Sequence, residues 1–229
     1  MEIIKGNIFT SECQTLVNTI NCVGVMGAGI ALEMRLRYPE MFRQYVQLCE
    51  LSEIEIGKLW LYKVNQNQMI LNFPTKKHWK YPSKFDYIES GLKRFLEFYT
   101  DNNISSIAFP LLGTSHGGLN NEAVLDLMEK YLSLCDIPVE VYIHDSKSQD
   151  EVIISFVDLL NKNVNVFKEI GIKKSTLSII DEAIQTSSIN SIIQLLSIKG
   201  ISEKTIEKLF NFLIERKNSP RPYQEGMFL

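Results

Sequence analysis

The stretch NFPTKKHWKYPS, residues 72–83, closes an apolar run at Pro74 and then brings Lys76, Lys77, His78, Trp79 and Lys80 together. A lysine amine is a nucleophile only once it has lost its proton. Burial in a low-dielectric cleft disfavours the ammonium and so frees the lone pair. One of these amines can therefore do chemistry if the fold places it in a cleft. The plain alternative is a solvated basic loop, because most lysines stay exposed. Lys77 and Lys80 fit that alternative, as surface cations that steer an anionic substrate. Trp79 can stack on a nucleobase or pack against its own loop, and His78 can fix the loop through a hydrogen bond. His116 is either a solvated loop residue or an acid or base near neutral pH.

Two glycine-bearing segments could hold the rest of a substrate. VNTINCVGVMGAGIALEM (17–34) runs from a strand through Gly24, Gly27 and Gly29 into a helix start. FPLLGTSHGGLN (109–120) has the same order, with Gly113, Gly117 and Gly118. Glycines let a backbone turn tightly and approach a ligand, and amides at a helix N-terminus favour an anion. Either loop alone is ordinary, and neither has the dinucleotide GxGxxG spacing. Two of them at the C-terminal ends of strands are the expected place for a phosphate-bearing ligand, with a diphosphate held between them.

The elements that must position these loops alternate. Thr15–Ile20, Lys58–Val64, Gln68–Phe73, Ile104–Phe109 and Pro138–Ile143 read as strands, the second and third joined as a hairpin through Asn65-Gln66-Asn67. Ile30–Tyr38, a segment from Ser83 and Asn120–Leu134 read as helices, with Ser83 and Asp86 as a capping arrangement. Interleaved helices and strands predict an α/β domain over residues 1–145, with helices on both faces of a sheet. Beyond the polar stretch 146–150 no segment reads as strand. Helical spacing covers Val152–Phe167, Leu177–Gln185, Ile189–Ser197 and Ser202–Arg216, a small all-α module over 151–217. An extended tail covers 218–229, and no internal repeat is evident.

The 229 residues are 45% apolar and 22% charged, an ordinary globular balance, with a formal net charge of −3. Any anion site must therefore be local. No apolar run has the roughly 18 residues of a membrane span, and the N-terminus has no signal-peptide layout. Cys13, Cys22, Cys49 and Cys135 stand singly, which argues against zinc and for a reducing compartment. A cytoplasmic monomer, with no metal, no cofactor and no membrane association, is the expectation. The cysteines and His144 read as structural, and Asn18 as fixing a strand–loop junction.

GNIFTSECQTLVNTINCVGVMGAGIA together with FPLLGTSHGGL resembles a macrodomain, the ADP-ribose-binding α/β/α fold, over about residues 1–145. LNFPTKKHW narrows this, because it looks like the DNA ADP-ribosyl glycohydrolase antitoxins of the DarG type. Terminal ADP-ribose protein glycohydrolases carry a similar Thr-Lys position. The resemblance implies a three-layer domain with a mixed central sheet. It places the adenine near Gly6, Asn7, Ile8 and Phe9, where many macrodomains have Asp at the position of Asn7. Asn21 would lie by the distal ribose, with Met26, Gly27, Ala28 and Gly29 wrapping that ribose and its phosphate. Gly113, Thr114, Ser115, His116, Gly117, Gly118 and Leu119 would close over the diphosphate. Lys76, after Thr75, is the implied nucleophile, able to form a Schiff base with the ring-opened sugar. The related protein glycohydrolases pair their lysine with an Asp in the second loop, but here that place reads Ser115-His116-Gly117-Gly118.

The implied function is removal of ADP-ribose from a nucleobase, thymine, in single-stranded DNA, with His78, Trp79 and Lys80 as DNA contacts. A DNA ADP-ribosyltransferase toxin is the implied partner. ADP-ribosyl guanine, protein carboxylate linkages, and a non-catalytic reader of ADP-ribose remain alternatives. LLSIKGISEKTIEKLF (195–210) resembles a helix-hairpin-helix, in which Gly200-Ile201 fits while Ser202 replaces the second glycine. Plain packing or partner docking is the competing reading.

Overall fold

Apolar residues on successive strands alternate between two cores, and that alternation builds the fold. The computed structural model describes residues 1–186, 189–217 and 226–228. The chain runs β1 (Glu2–Gly6), a 3-10 turn (Ile8–Thr10), β2 (Thr15–Asn21), α1 (Gly29–Arg37), α2 (Pro39–Glu50), β3 (Trp60–Lys63), β4 (Met69–Lys76), α3 (Phe85–Phe98), β5 (Ile107–Pro110), α4 (Asn121–Leu132) and β6 (Val139–His144). After these come α5 (Glu151–Lys162), α6 (Val166–Glu169), α7 (Lys174–Thr186), a 3-10 segment (Ile192–Ser197), α8 (Glu203–Lys217) and β7 (Gly226–Phe228). The chain forms two compact units, one built on 1–144 with β7 and the other within 145–217.

The first unit holds one mixed sheet, ordered β1-β6-β5-β2-β4-β3-β7. The pairs from β1 through β4 are parallel, and β3 runs antiparallel to both β4 and β7. Val17, Leu71, Phe73, Ile107 and Phe109 face a core with Ile88, Leu92 and Phe95 of α3 and Val124 and Met128 of α4. Leu16, Ile20, Trp60, Tyr62 and Ile70 face the other core, with Met34 of α1 and Met41 and Tyr45 of α2. Each large side chain so buried stabilises the fold by about 1.5–3 kcal/mol. Covered on both faces, β2 and β4 are almost wholly buried, as central parallel strands are. β2 ends at the buried Asn21 and β4 at the partly exposed Lys76.

Several expectations need correction. The spacing did not reveal β1 or α2. The helix expected over 152–167 is two helices, because the chain breaks at Asn163, which caps α5. Ile192–Ser197 is 3-10 rather than α. Ser83 is not the cap of α3: Lys84 occupies that place and makes no side-chain cap bond. Of the tail 218–229, only 226–228 lie among the described residues, and they form β7.

The second unit also contains a repeat that the sequence alone did not disclose. Gly171 and Gly200 both have positive φ, 73° and 95°. Each precedes a buried isoleucine, Ile172 or Ile201. A helix then begins at the same offset in both cases, α7 at Lys174 and α8 at Glu203. Leu177 matches Ile206, and Ile180 matches Leu209, all buried. At the second hairpin Ser202 Oγ accepts from Thr205 N–H at 3.2 Å and so caps α8 itself.

Candidate active site

Asn21, the last residue of β2, builds the first glycine loop. Its Oδ1 accepts from the N–H groups of Val23 (3.0 Å) and Val25 (3.4 Å) and from the Tyr45 hydroxyl (3.0 Å). Its Nδ2 donates to the Val25 carbonyl at 2.5 Å. The Tyr45 hydroxyl also lies 2.8 Å from the Asn21 carbonyl. The loop is thus folded around one buried amide. Met26 is buried in the core behind it, while Gly27, Ala28 and Gly29 are exposed. Ala28 stands at the start of α1 and makes no side-chain cap bond. Among the described residues the N–H groups of Gly27, Ala28 and Gly29 have no partner. They form an open, electropositive helix start suited to phosphate.

The second loop closes on itself. Gly118 N–H donates to the Thr114 carbonyl (2.9 Å) and Leu119 N–H to the Gly113 carbonyl (3.1 Å), while Thr114 Oγ1 donates to the Leu111 carbonyl (3.0 Å). These bonds leave the N–H groups of Ser115, His116 and Gly117 without partners among the described residues. Leu119 packs inward on the core. Gly117 is required by close approach, since a Cβ there would overlap the Gly113 carbonyl and lie 2.5 Å from Ser83 Oγ.

The two loops meet. A Cβ on Gly29, whose φ is +54°, would lie 3.3 Å from His116 Cδ2. Lys76, at the end of β4, donates from Nζ to the His116 carbonyl. Thr75 is buried, with Oγ1 3.5 Å from the Ile20 carbonyl. One amine and two amide-lined turns therefore converge at the strand ends. Burial lowers the pKa of Lys76 below that of an ordinary lysine. Burial moves the thiols the other way, pushing Cys22 and Cys49 up to about 11 and so disfavouring a thiolate nucleophile. Among the described residues no three His, Cys, Asp or Glu side chains gather as a metal would require.

Asn7 and Ile8 sit at the end of β1. Asn7 Oδ1 accepts from Phe9 N–H (3.0 Å), so part of its acceptor capacity is already used, and Ile8 is buried. The Arg37 guanidinium lies 4.1 Å from the centre of the Phe9 ring. On the other side, His78 Nδ1 accepts from Lys80 N–H (3.2 Å), its ring stacks 5.6 Å from Trp79, and the Lys80 amine lies 5.1 Å from the indole. Asn18 stays in the core, donating to Asn72 Oδ1 at 2.8 Å. Sequence reasoning missed Tyr45 and Ser83. Tyr45 holds Asn21 from α2, and Ser83 N–H donates to the Gly117 carbonyl at 2.9 Å. Neither has a local signal, because both act on chain far away in sequence.

Comparison with known proteins agrees with this fold. The profile of the Macro domain family matches residues 17–128. A Mycobacterium tuberculosis protein named DNA ADP-ribosyl glycohydrolase is 43% identical over 142 residues, 60% of this chain and 40% of that protein. The solved macrodomain of M. tuberculosis DarG is 41% identical and superposes with a TM-score of 0.58, covering 62% of this chain and 95% of that one. The solved Thermosipho africanus DarTG, in complex with ADP-ribose, is 34% identical with a TM-score of 0.59, covering 66% of this chain and 44% of that one. The matched region spans less than half the length of these curated relatives. The chain belongs to the macrodomain family, as a DarG-like member.

Proposed function

We propose that this protein is an ADP-ribosyl glycohydrolase that frees a DNA base, thymine, in single-stranded DNA from ADP-ribose. The reading is supported above all by Lys76 Nζ meeting the His116 carbonyl where Gly29 approaches the same residue. The unpaired amides of the two loops would hold the diphosphate, and Asn21 would shape the turn around the distal ribose. Relatives named DNA ADP-ribosyl glycohydrolase support the reaction class, and a relative that fuses transferase and glycohydrolase supports a DNA ADP-ribosyltransferase as the toxin partner.

The chemistry follows from the amine. Neutral Lys76 attacks the anomeric carbon, and the C–N bond to the base breaks as the base takes up a proton. The ring oxygen then leaves as the sugar opens to a Schiff base. Water adds to that carbon and expels the amine, giving free ADP-ribose and unmodified DNA. His116 and solvent would carry the protons. The protein acts as a cytoplasmic monomer with no resident cofactor.

The test is an assay on single-stranded DNA carrying ADP-ribosylated thymidine, beside matched guanine and glutamate conjugates. Free ADP-ribose from the thymidine substrate, at higher kcat/KM than from the others, is the expected result. Preference for guanine or glutamate would overturn the base assignment. ADP-ribose binding with no turnover on any of the three would make the protein a reader.

A further inference from the structure

Residues 77–82 form an arch with both feet on the second glycine loop. At one foot Lys76 donates to the His116 carbonyl, and at the other Ser83 N–H donates to the next carbonyl, that of Gly117, at 2.9 Å. Within the arch Tyr81 N–H donates to the His78 carbonyl at 3.2 Å, and Lys80 N–H to His78 Nδ1 at 3.2 Å. The arch is thus a fixed turn planted beside the amine.

Its rings point outward. Trp79 is 50% exposed, Tyr81 65% and, just past the second foot, Phe85 40%. Large aromatics cost free energy when left in water, and three within one short segment need a partner. Their neighbours indicate which kind. The Lys80 amine lies 5.1 Å from the Trp79 ring, and the amines of Lys77 and Lys84 lie 6.0 and 5.6 Å from the Tyr87 ring. Between 76 and 86 there are four lysines and a single acid, Asp86, in a chain whose net charge is −3. Exposed rings alternating with cations suit unpaired bases on a phosphate chain, since the rings stack on bases and the amines meet phosphates. A purely apolar protein partner would leave those lysines buried and uncompensated.

We infer that the arch, through Trp79, Tyr81 and Phe85 with Lys77, Lys80 and Lys84, binds the unmodified nucleotides flanking the ADP-ribosylated base. This rests on the glycohydrolase reading and adds a footprint to it. Duplex DNA hides the faces of its bases, so the arch selects single strands. A substrate cut down to one nucleoside forfeits these contacts while still reaching Lys76.

The test uses the full chain with four ligands: ADP-ribosylated thymidine as a nucleoside, a single-stranded ten-nucleotide DNA carrying the same modification at its centre, the unmodified single strand, and its duplex. The wild type is expected to favour the modified oligonucleotide over the nucleoside by tenfold or more in kcat/KM. Tyr81→Ala and Phe85→Ala each reduce that preference by about tenfold through KM. Log affinity for the unmodified single strand falls with log salt at a slope of about −2, and Lys77→Ser with Lys84→Ser flattens it. Equal kcat/KM for oligonucleotide and nucleoside, or variants that keep the full preference, overturns the footprint and leaves the glycohydrolase standing. Turnover of neither modified substrate overturns the glycohydrolase. Binding of the unmodified single strand then decides the arch alone, and no binding, or duplex bound as tightly as single strand, overturns it.

Discussion

Asn21 and Lys76 stand opposite each other at the ends of β2 and β4, where the parallel register slips. Ile20 pairs with Pro74, yet Asn21 pairs with Lys76, so Thr75 is passed over. A regular ladder would have set Thr75 against Asn21. The irregularity brings the residue that shapes the first loop beside the residue whose amine reaches the second. Such bulges re-aim side chains next to active sites.

Lys76→Ala is expected to lower kcat by at least about 10²-fold while ADP-ribose binding persists. Lys76→Arg keeps the cation but has no usable lone pair at neutral pH. Turnover rates and calorimetric ADP-ribose titrations of both variants separate nucleophile from electrostatic anchor. Near-wild-type activity in the arginine variant would leave the lysine with an electrostatic role only.

Treatment with cyanoborohydride during turnover should trap a Schiff base as a stable ADP-ribose adduct. Peptide mass spectrometry should place it on Lys76 in the wild type. An adduct-free, active wild-type protein would point to direct attack by water.

The pH profile carries a sign. Burial lowers the Lys76 pKa, so the reactive neutral amine gains population at a lower pH than in an ordinary lysine, near 10.4. Activity should therefore rise with pH along a limb whose midpoint lies below that value, and fall as acid restores the ammonium. A rate profile from neutral pH upward checks this, and a flat profile would argue against a free-amine step.

Gly117→Ala should reshape the second loop, because the added methyl would overlap the Gly113 carbonyl and press on Ser83. The crowding costs about 1–3 kcal/mol, and calorimetry should show weaker ADP-ribose binding alongside the lower melting temperature.

Asn21→Ala removes the side-chain acceptor of the Val23 and Val25 N–H groups, while the Tyr45 hydroxyl keeps the residue-21 carbonyl as its acceptor. A loss of about 1 kcal/mol follows from the missing hydrogen bonds, measurable by denaturant unfolding. Tyr45→Phe removes only one of the partners and should cost less. Equal losses in the two variants would mean that the amide does not organise the loop.

Much of this protein is legible along the chain because its signals are local. Strand–glycine–helix junctions carry their own turn chemistry, so both loops could be located from residues 17–34 and 109–120. The apolar periodicity of α3 and α4 likewise identifies their core faces. Strand β1 was less legible: it lies at the sheet edge, is mostly exposed and has no buried run. The second-unit repeat was hidden because only a Gly-Ile pair and a Thr five positions after the glycine recur, and the equivalence becomes plain only with the shared positive φ and matched burial.

The sequence by itself determined the local capacities: two turns able to present amides, and an amine at the end of an apolar strand. Only the tertiary structure decided that they meet. Lys76 and the His116 carbonyl are separated by 40 positions, and Tyr45 and Asn21 by 24. No pattern of neighbours encodes such pairings. They arise because two cores clamp β2 and β4 side by side, and because one slipped residue turns Lys76 toward the loops.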